Sequence, residues 1–273
     1  MKFGFVFPKA DALKAIEFAQ EAEKVGWDGF FVWEPIYGAD AWITLTAIAC
    51  KTKKIRIGTM ITPVSRMRPW KLASELVTLD NISNGRVTLS VALGAIDTGF
   101  AEFGEEIDRK VRAELLDEGL EIINMLWKRS FHFTGKHYNI KESDFFKRET
   151  PPFPVQKPRI PIWVVAAWPR MKSMNRALKY DGIIPAIIRK DGKFEEITPE
   201  HIKQIKNFIN EKNFVQKTFD IVVEGTTPGD DLIKAKKIVT PFEGSGVTWW
   251  IESMWFQKSL DSVLERIQKG PPR

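Results

Sequence analysis

Two glutamates stand where apolar, strand-like runs give out: Glu34 in "GFFVWEP" and Glu252 in "VTWWIES". A carboxylate in such a place can act as a general acid or base, as one of a pair flanking a glycosidic bond, or as a structural acceptor for an arginine or loop amides. If Glu34 points into the fold, two-residue alternation sends Phe30 and Val32 the same way and leaves Phe31 and Trp33 facing outward. The same alternation groups Thr248, Trp250 and Glu252 on one side of their run, with Trp249 and Ile251 on the other.

Positive charge gathers after two other runs. "GTMITPVSRMRP" joins small Gly58 and Thr59, which would let a planar ligand approach the backbone, to Arg66 and Arg68. In "AAWPRMKS" the small Ala166 and Ala167 precede a helix opening near Pro169, whose free N–H groups would face a phosphate, with Arg170 adding charge. A routine turn with an exposed arginine is the plainer reading of the second stretch. Trp168, Trp249, Trp250 and Trp255 suggest an aromatic pocket, with Trp250 in contact with substrate, although tryptophans equally fill the space between strands and helices. His132, His137 and His201 form no triad or zinc-ligand set, so no metal site is expected. Cys50 lies within a helical apolar pattern and reads as a small core residue.

The elements that must position these groups alternate regularly. "KFGFVF" is followed by a helix capped by Asp11 and stopped at Gly26, and Gly29–Trp33 by a helix over Ala41 to Lys51. "KIRIGTM" leads to a helix with Pro69 in its first turn and Asn84-Gly85 at its end, and "RVTLSVAL" to one carrying Leu116, Leu120, Ile123 and Trp127. "FHFTGKHYNI" then alternates like a hairpin before the proline-rich "TPPFPVQKPRIP". "PIWVVAA", "DGIIPAII", "DIVVEG" and "VTWWIES" each precede a further helix, over Met171–Tyr180, from Thr198-Pro199, over Asp231–Val239 and over Ser259–Gln268. Eight strand–helix units predict a (β/α)8 TIM barrel, an α/β fold with a short hairpin-containing insertion between helix four and strand five, in one domain over residues 1–273. A doubly wound sheet is the rival, but no G-x-G-x-x-G follows the first strand.

Composition sets wider bounds. The chain has 273 residues, 44% of them hydrophobic and 28% charged, which suits a compact enzyme-sized fold. Its net charge of +6 favours an anionic ligand, yet the basic residues are dispersed, so no nucleic-acid partner is expected. The start "MKFGFVFPKADAL" does not read as a signal peptide, and no run reaches the roughly eighteen apolar residues of a membrane span, so a cytoplasmic protein without membrane contact is expected.

Several stretches together resemble the bacterial luciferase-like monooxygenases, a family of flavin-dependent oxidoreductases. They are "AEKVGWDGFFVWE", the block from "KTKKIRIGTM" through "LDNISNGRVTLSVALG", "LLDEGLEIINMLW", "FHFTGKHYNI", "PVQKPRIPIWVVAAWPR" and "RALKYDGIIP". The resemblance implies a (β/α)8 barrel binding FMN, or a deazaflavin coenzyme in some branches, at its C-terminal mouth. By position it implies that Trp33 and Glu34, then Thr59, Met60 and Ile61 near a cis peptide or bulge, and Ala166, Ala167 and Trp168 near the phosphate, line the cofactor site. Luciferase itself has a histidine where Pro35 stands, and an arginine near the end of strand four where this chain reads "VALGA"; Arg170 is expected to supply that charge instead.

The expected activity is therefore oxidation of a small organic substrate by reduced FMN and O2, with Glu34 and Glu252 as catalytic candidates. A separate flavin reductase and a homodimer are the expected partners. Deazaflavin-dependent hydride transfer, flavin binding without turnover, and glycoside hydrolysis by Glu34 and Glu252 are the alternatives.

Overall fold

The computed structural model describes residues 1–212, 218–257 and 259–273. Strands β1 (Lys2–Phe7), β2 (Gly29–Val32), β3 (Arg56–Thr59), β4 (Val87–Ala92), β5 (Ile162–Trp168), β6 (Gly182–Ile188), β7 (Asp220–Gly225) and β8 (Trp249–Ser253) follow one another around the sheet. All neighbours are parallel, and β8 pairs with β1 to close an eight-stranded barrel.

The outer layer is α1 (Ala12–Lys24), α2 (Ala41–Lys51), α3 (Pro69–Ser83), α4 (Arg109–Trp127), α5 (Met171–Ala177), α6 (Pro199–Glu211), α7 (Leu232–Ser245) and α8 (Leu260–Gln268). Side chains satisfy a free amide at the start of several of these helices: Asp11 accepts from Lys14 N, Asp40 from Ile43 N, Asp108 from Val111 N, Thr198 from His201 N and Asp231 from Lys234 N. Helix α3 ends with Asn84 at φ 55° and Gly85 at φ 79°, a left-handed pair that suits the Asn-Gly sequence. Helix α7 runs past Pro241 to Ser245, beyond the stop expected near Val239. Cys50 is exposed on α2 rather than packed in the core.

Between α4 and β5, Phe133–Thr134 pairs antiparallel with Asn139–Ile140 in the expected hairpin. Its tip is fixed by Glu118 of α4, whose carboxylate accepts from the amides of Lys136, His137 and Tyr138.

The core has two layers. Inside the barrel, Val6, Phe31, Met60, Trp163, Ile184, Val222, Trp249 and Ile251 form one cluster. Between strands and helices lies a larger one that includes Phe5, Phe7, Phe30, Val32, Leu89, Val91, Ile162 and Trp250. Phe31 therefore faces inward and Phe30 and Val32 outward, the reverse of the alternation inferred from an inward Glu34. Both faces of a barrel strand are buried, so the run "GFFV" carries no polar mark of which side is which.

Gly58 also plays a different part from the one expected. A Cβ there would strike the backbone carbonyl oxygen of Thr88, so its smallness admits strand β4 rather than a ligand. Gly58→Ala should cost about 3 kcal/mol or more, since the obstacle is backbone that cannot rotate away. A thermal melt within a degree or two of the parent protein would refute this.

At the N-terminal end of the barrel, carboxylates accept amides from the segments that begin the strands. Asp28 accepts from Phe3 N at 2.7 Å, Glu23 from Lys53, Lys54 and Ile55 N, Asp80 from Val155 and Gln156 N, and Asp181 from Ile162 N at 2.9 Å. Among the described residues no helix is long and apolar enough to cross a membrane.

Candidate active site

The C-terminal mouth differs from the other end. Strand β3 and the short segment Thr62–Pro63 both pair with β4, but the register shifts: Gly58 lies opposite Thr88, and Thr62 opposite Val91. Thr59, Met60 and Ile61 thus span only Leu89 and Ser90, a bulge of one residue, and the Met60–Ile61 peptide is cis. The resemblance placed such a feature here. Met60 belongs to the inner cluster and Ile61 packs against it, whereas Thr59 is buried with its hydroxyl accepting from Thr62 at 2.8 Å.

Strand pleating assigns the remaining inner positions. Ser90 and Ala92 face inward between the outward Leu89 and Val91, and Ala167 follows Trp163 and Val165, whereas Trp33 lies past the last residue of β2. Ala186 follows Ile184 in the same way. Three alanines on β4, β5 and β6 therefore put small side chains in one sector of the mouth, beside the bulge. Of the three residues expected near a phosphate, only Ala167 faces inward. Ala166 is packed in the outer cluster, and Trp168 stacks edge-on against Phe208 of α6 with centroids 5.7 Å apart.

Several buried polar atoms at this end find no partner among the described residues: Trp33 Nε1, Glu34 Oε2, Ser65 Oγ, Arg66 Nε and Ser90 Oγ. Such atoms are costly unless a ligand or water satisfies them. Arg66 fastens the loop beyond β2 by donating from Nη2 to the carbonyls of Glu34 (2.6 Å) and Pro35 (3.1 Å).

Burial pushes the Glu34 carboxyl up to about 7, against the opposing pull of a Thr62 hydrogen bond and the Arg66 charge. With the folded value above the unfolded one, folding takes up a proton between about pH 4.5 and 7, and stability from this group is lost as pH rises through that window. The full span is on the order of 3 kcal/mol at most. The stability of the native protein relative to Glu34→Gln should therefore fall between pH 5 and pH 8 in parallel unfolding titrations, and a difference that stays constant would refute the buried, proton-binding carboxyl.

Arginines gather on the β4–β5 side. Arg112 of α4 is buried and donates from Nη1 to the carbonyls of Leu93 and Gly94, both at 2.9 Å, at the end of β4. The guanidinium groups of Arg66 and Arg112 both lie near the Phe100 ring, 5.9 and 5.7 Å from its centroid. Arg109 titrates below the usual arginine range, first through desolvation and then through repulsion from Arg170, Arg112 and Arg176. Arg176 of this group is already paired with Asp117 of α4, so Arg109 and Arg170, the latter at the N-cap position of α5, are the members an anion would relieve. "DRKVRAE" carried half of this group, unremarked because it reads as an ordinary helix start.

The second expected catalytic carboxylate is elsewhere. Glu252 is fully buried on the outer face of β8, accepting from Thr227 N (2.6 Å), Thr227 Oγ1 (2.7 Å), Trp250 Nε1 (3.3 Å) and Arg266 Nη2 of α8 (3.3 Å). Trp250, expected to touch substrate, shares that outer face and packs against Phe242 of α7. Glu34 and Glu252 do not face each other across the mouth. Among the described residues no group of three or more His, Cys, Asp or Glu could hold a metal ion.

Comparison with known proteins agrees with this architecture. The luciferase-like monooxygenase family matches residues 3–219, and the chain belongs to it. The fold is similar to that of an F420-dependent secondary alcohol dehydrogenase solved with an F420-acetone adduct, with a TM-score of 0.77 at 17% identity over 99% of this chain and 98% of that one. An F420-dependent glucose-6-phosphate dehydrogenase of Amycolatopsis mediterranei is 32% identical over 151 residues, 51% of this chain and 45% of the relative. The oxygenase component of a flavin-dependent trigonelline monooxygenase of Acinetobacter baylyi is 32% identical over 127 residues, 46% and 34% respectively. The matched region spans less than half the length of these two curated relatives. The family is one of oxidoreductases, with flavin-dependent and F420-dependent members.

Proposed function

We propose that this protein is an oxidoreductase holding a flavin-type cofactor at the barrel mouth, FMN in the first reading, and acting there on a small organic substrate. One observation carries it: buried polar atoms without partners among the described residues, a sector of small alanines and a group of arginines meet at the same end of the barrel. These residues fit the group. Ala92, Ala167 and Ala186 leave room for a planar ring, Met60, Ile61 and Trp33 border it, and Ser90 and Trp33 offer polar atoms to its edge. Arg170 with Arg109 would take the phosphate, as charge-assisted donors do. When bound, the ring supplies the electron-pair transfer. The protein's own residues orient it, shield it from water, and keep at Glu34 a carboxyl able to hold a proton near neutral pH.

Oxygen-dependent chemistry with a separate reductase is supported by the likeness to an enzyme named as an oxygenase component. Hydride transfer with F420 is the second reading, favoured by the likeness to the glucose-6-phosphate dehydrogenase. A homodimer and a cytoplasmic location complete the proposal. The deciding experiment is an absorbance titration of the purified protein with FMN and with F420. Micromolar or tighter binding of one of them names the cofactor, and binding of neither overturns the proposal.

A further inference from the structure

Strand β7 carries a carboxyl that the sequence reading passed over. Val222 belongs to the cluster inside the barrel, so two residues on, at the C-terminal end of the strand, Glu224 shares its inward face. Trp255, on the loop after β8, donates from Nε1 to Glu224 Oε2 at 2.9 Å. Among the described residues this is the only hydrogen bond that Glu224 accepts, and no ion pair includes it. The inner-face side chains beside it are uncharged: Ile184 and Ala186 on β6, Ile251 and Ser253 on β8. Glu252, one strand away, faces the opposite layer and is occupied there by Arg266 and Thr227.

A structural carboxylate in this fold looks different. Asp28, Asp80, Asp181 and Glu252 each accept from at least two donors, and all but Asp80 also meet an arginine. Among the described residues Glu224 has one neutral donor and no cation paired with it. Burial raises its titration above the usual carboxylate range and so favours the uncharged form, against the Trp255 hydrogen bond, which favours the charged one.

We propose that Glu224 contacts the substrate: its carboxyl, positioned by Trp255, forms a hydrogen bond at the mouth with an uncharged oxygen group, a carbonyl or a hydroxyl. This rests on the redox reading above and adds the class of molecule the site accepts. A carboxyl without a cationic neighbour pairs with a neutral oxygen and disfavours an anion, so ketones, aldehydes or alcohols fit and carboxylates do not.

The test is a titration of the FMN-loaded protein with a panel of small cyclic and linear ketones and alcohols, cyclohexanone and cyclohexanol among them, and their matched carboxylates, followed by the flavin absorbance. The neutral probes should bind, with the carboxylates weaker by roughly tenfold or more, and Glu224→Ala should weaken the neutral probes by about tenfold. Glu224→Gln, which still donates, should keep ketone affinity to within about threefold. FMN affinity and the melting temperature should stay at parent values in both variants. Equal affinity in Glu224→Ala, carboxylates bound as tightly as ketones, or failure of every neutral probe to bind the parent protein overturns the proposal. Should FMN itself not bind, the redox reading fails separately. The same probes, followed in the cofactor-free protein by the fluorescence difference between parent and Trp255→Phe, then decide the role of Glu224.

Discussion

Replacing Arg170 with alanine should weaken FMN binding by roughly 10- to 150-fold, the equivalent of one charge-assisted hydrogen bond of about 1.5–3 kcal/mol. The expectation follows from the company Arg170 keeps. It repels Arg109, which already suffers desolvation and the charges of Arg112 and Arg176, and a phosphate would neutralise the group. Riboflavin, which lacks the phosphate, supplies the control: its affinity should change little in Arg170→Ala, so the preference of the parent protein for FMN over riboflavin should collapse. Salt should weaken FMN binding more in the parent than in the variant, because a charge contact is what is screened. Unchanged FMN affinity would place the phosphate elsewhere and remove Arg170 from the site.

Removing Glu252 should produce the largest loss of stability. Glu252→Ala leaves the Arg266 guanidinium, itself only 6% exposed, without its carboxylate and strips acceptors from Thr227 and Trp250. Breaking a buried ion pair from one side costs about 3–5 kcal/mol, a fall in melting temperature of about 10 °C for a chain of this size. Combining Glu252→Leu with Arg266→Met should recover most of it, since the charge that needs a partner is gone as well. FMN affinity measured well below the melting point should match that of the parent protein. A normal melt with lost ligand binding would instead restore Glu252 to the site and contradict its outward position.

The barrel itself was legible because the strand and helix patterns alternate and several helices announce their limits: Asp11, Thr198 and Asp231 are caps in the structure, and Asn84-Gly85 forms the turn its residues suggest. The direction of side chains was not. "GFFV" is apolar on both faces, and Glu34 stands beyond the end of the strand, so alternation counted back from it was counted from the wrong origin. In "VTWWIES" the sides were grouped correctly, but the one holding Glu252 faces helices, where Arg266 waits fourteen residues later in the chain. Glu224 escaped notice inside "DIVVEG", a run that reads as strand throughout, and its neighbour Val222 supplies the inward face only once the cluster is known. Pairing across the fold, which a linear pattern does not contain, settled each of these.

The two ends of the barrel are held in different ways, and the chain should tolerate change differently at each. Where Asp28, Glu23, Asp80 and Asp181 take up the amides that begin the strands, every carboxylate serves residues far away in sequence, so one substitution disturbs two elements at once. At the other end several buried donors and acceptors have no partner among the described residues. Amide hydrogens near Phe3, Ile55 and Ile162 should consequently exchange slowly, those of the loops beyond Glu34 and Gly94 faster, and the gap should narrow when a ligand is added. A lineage altering this protein has its freedom at the mouth: new loops can be tried there while the far rim keeps the strands in register.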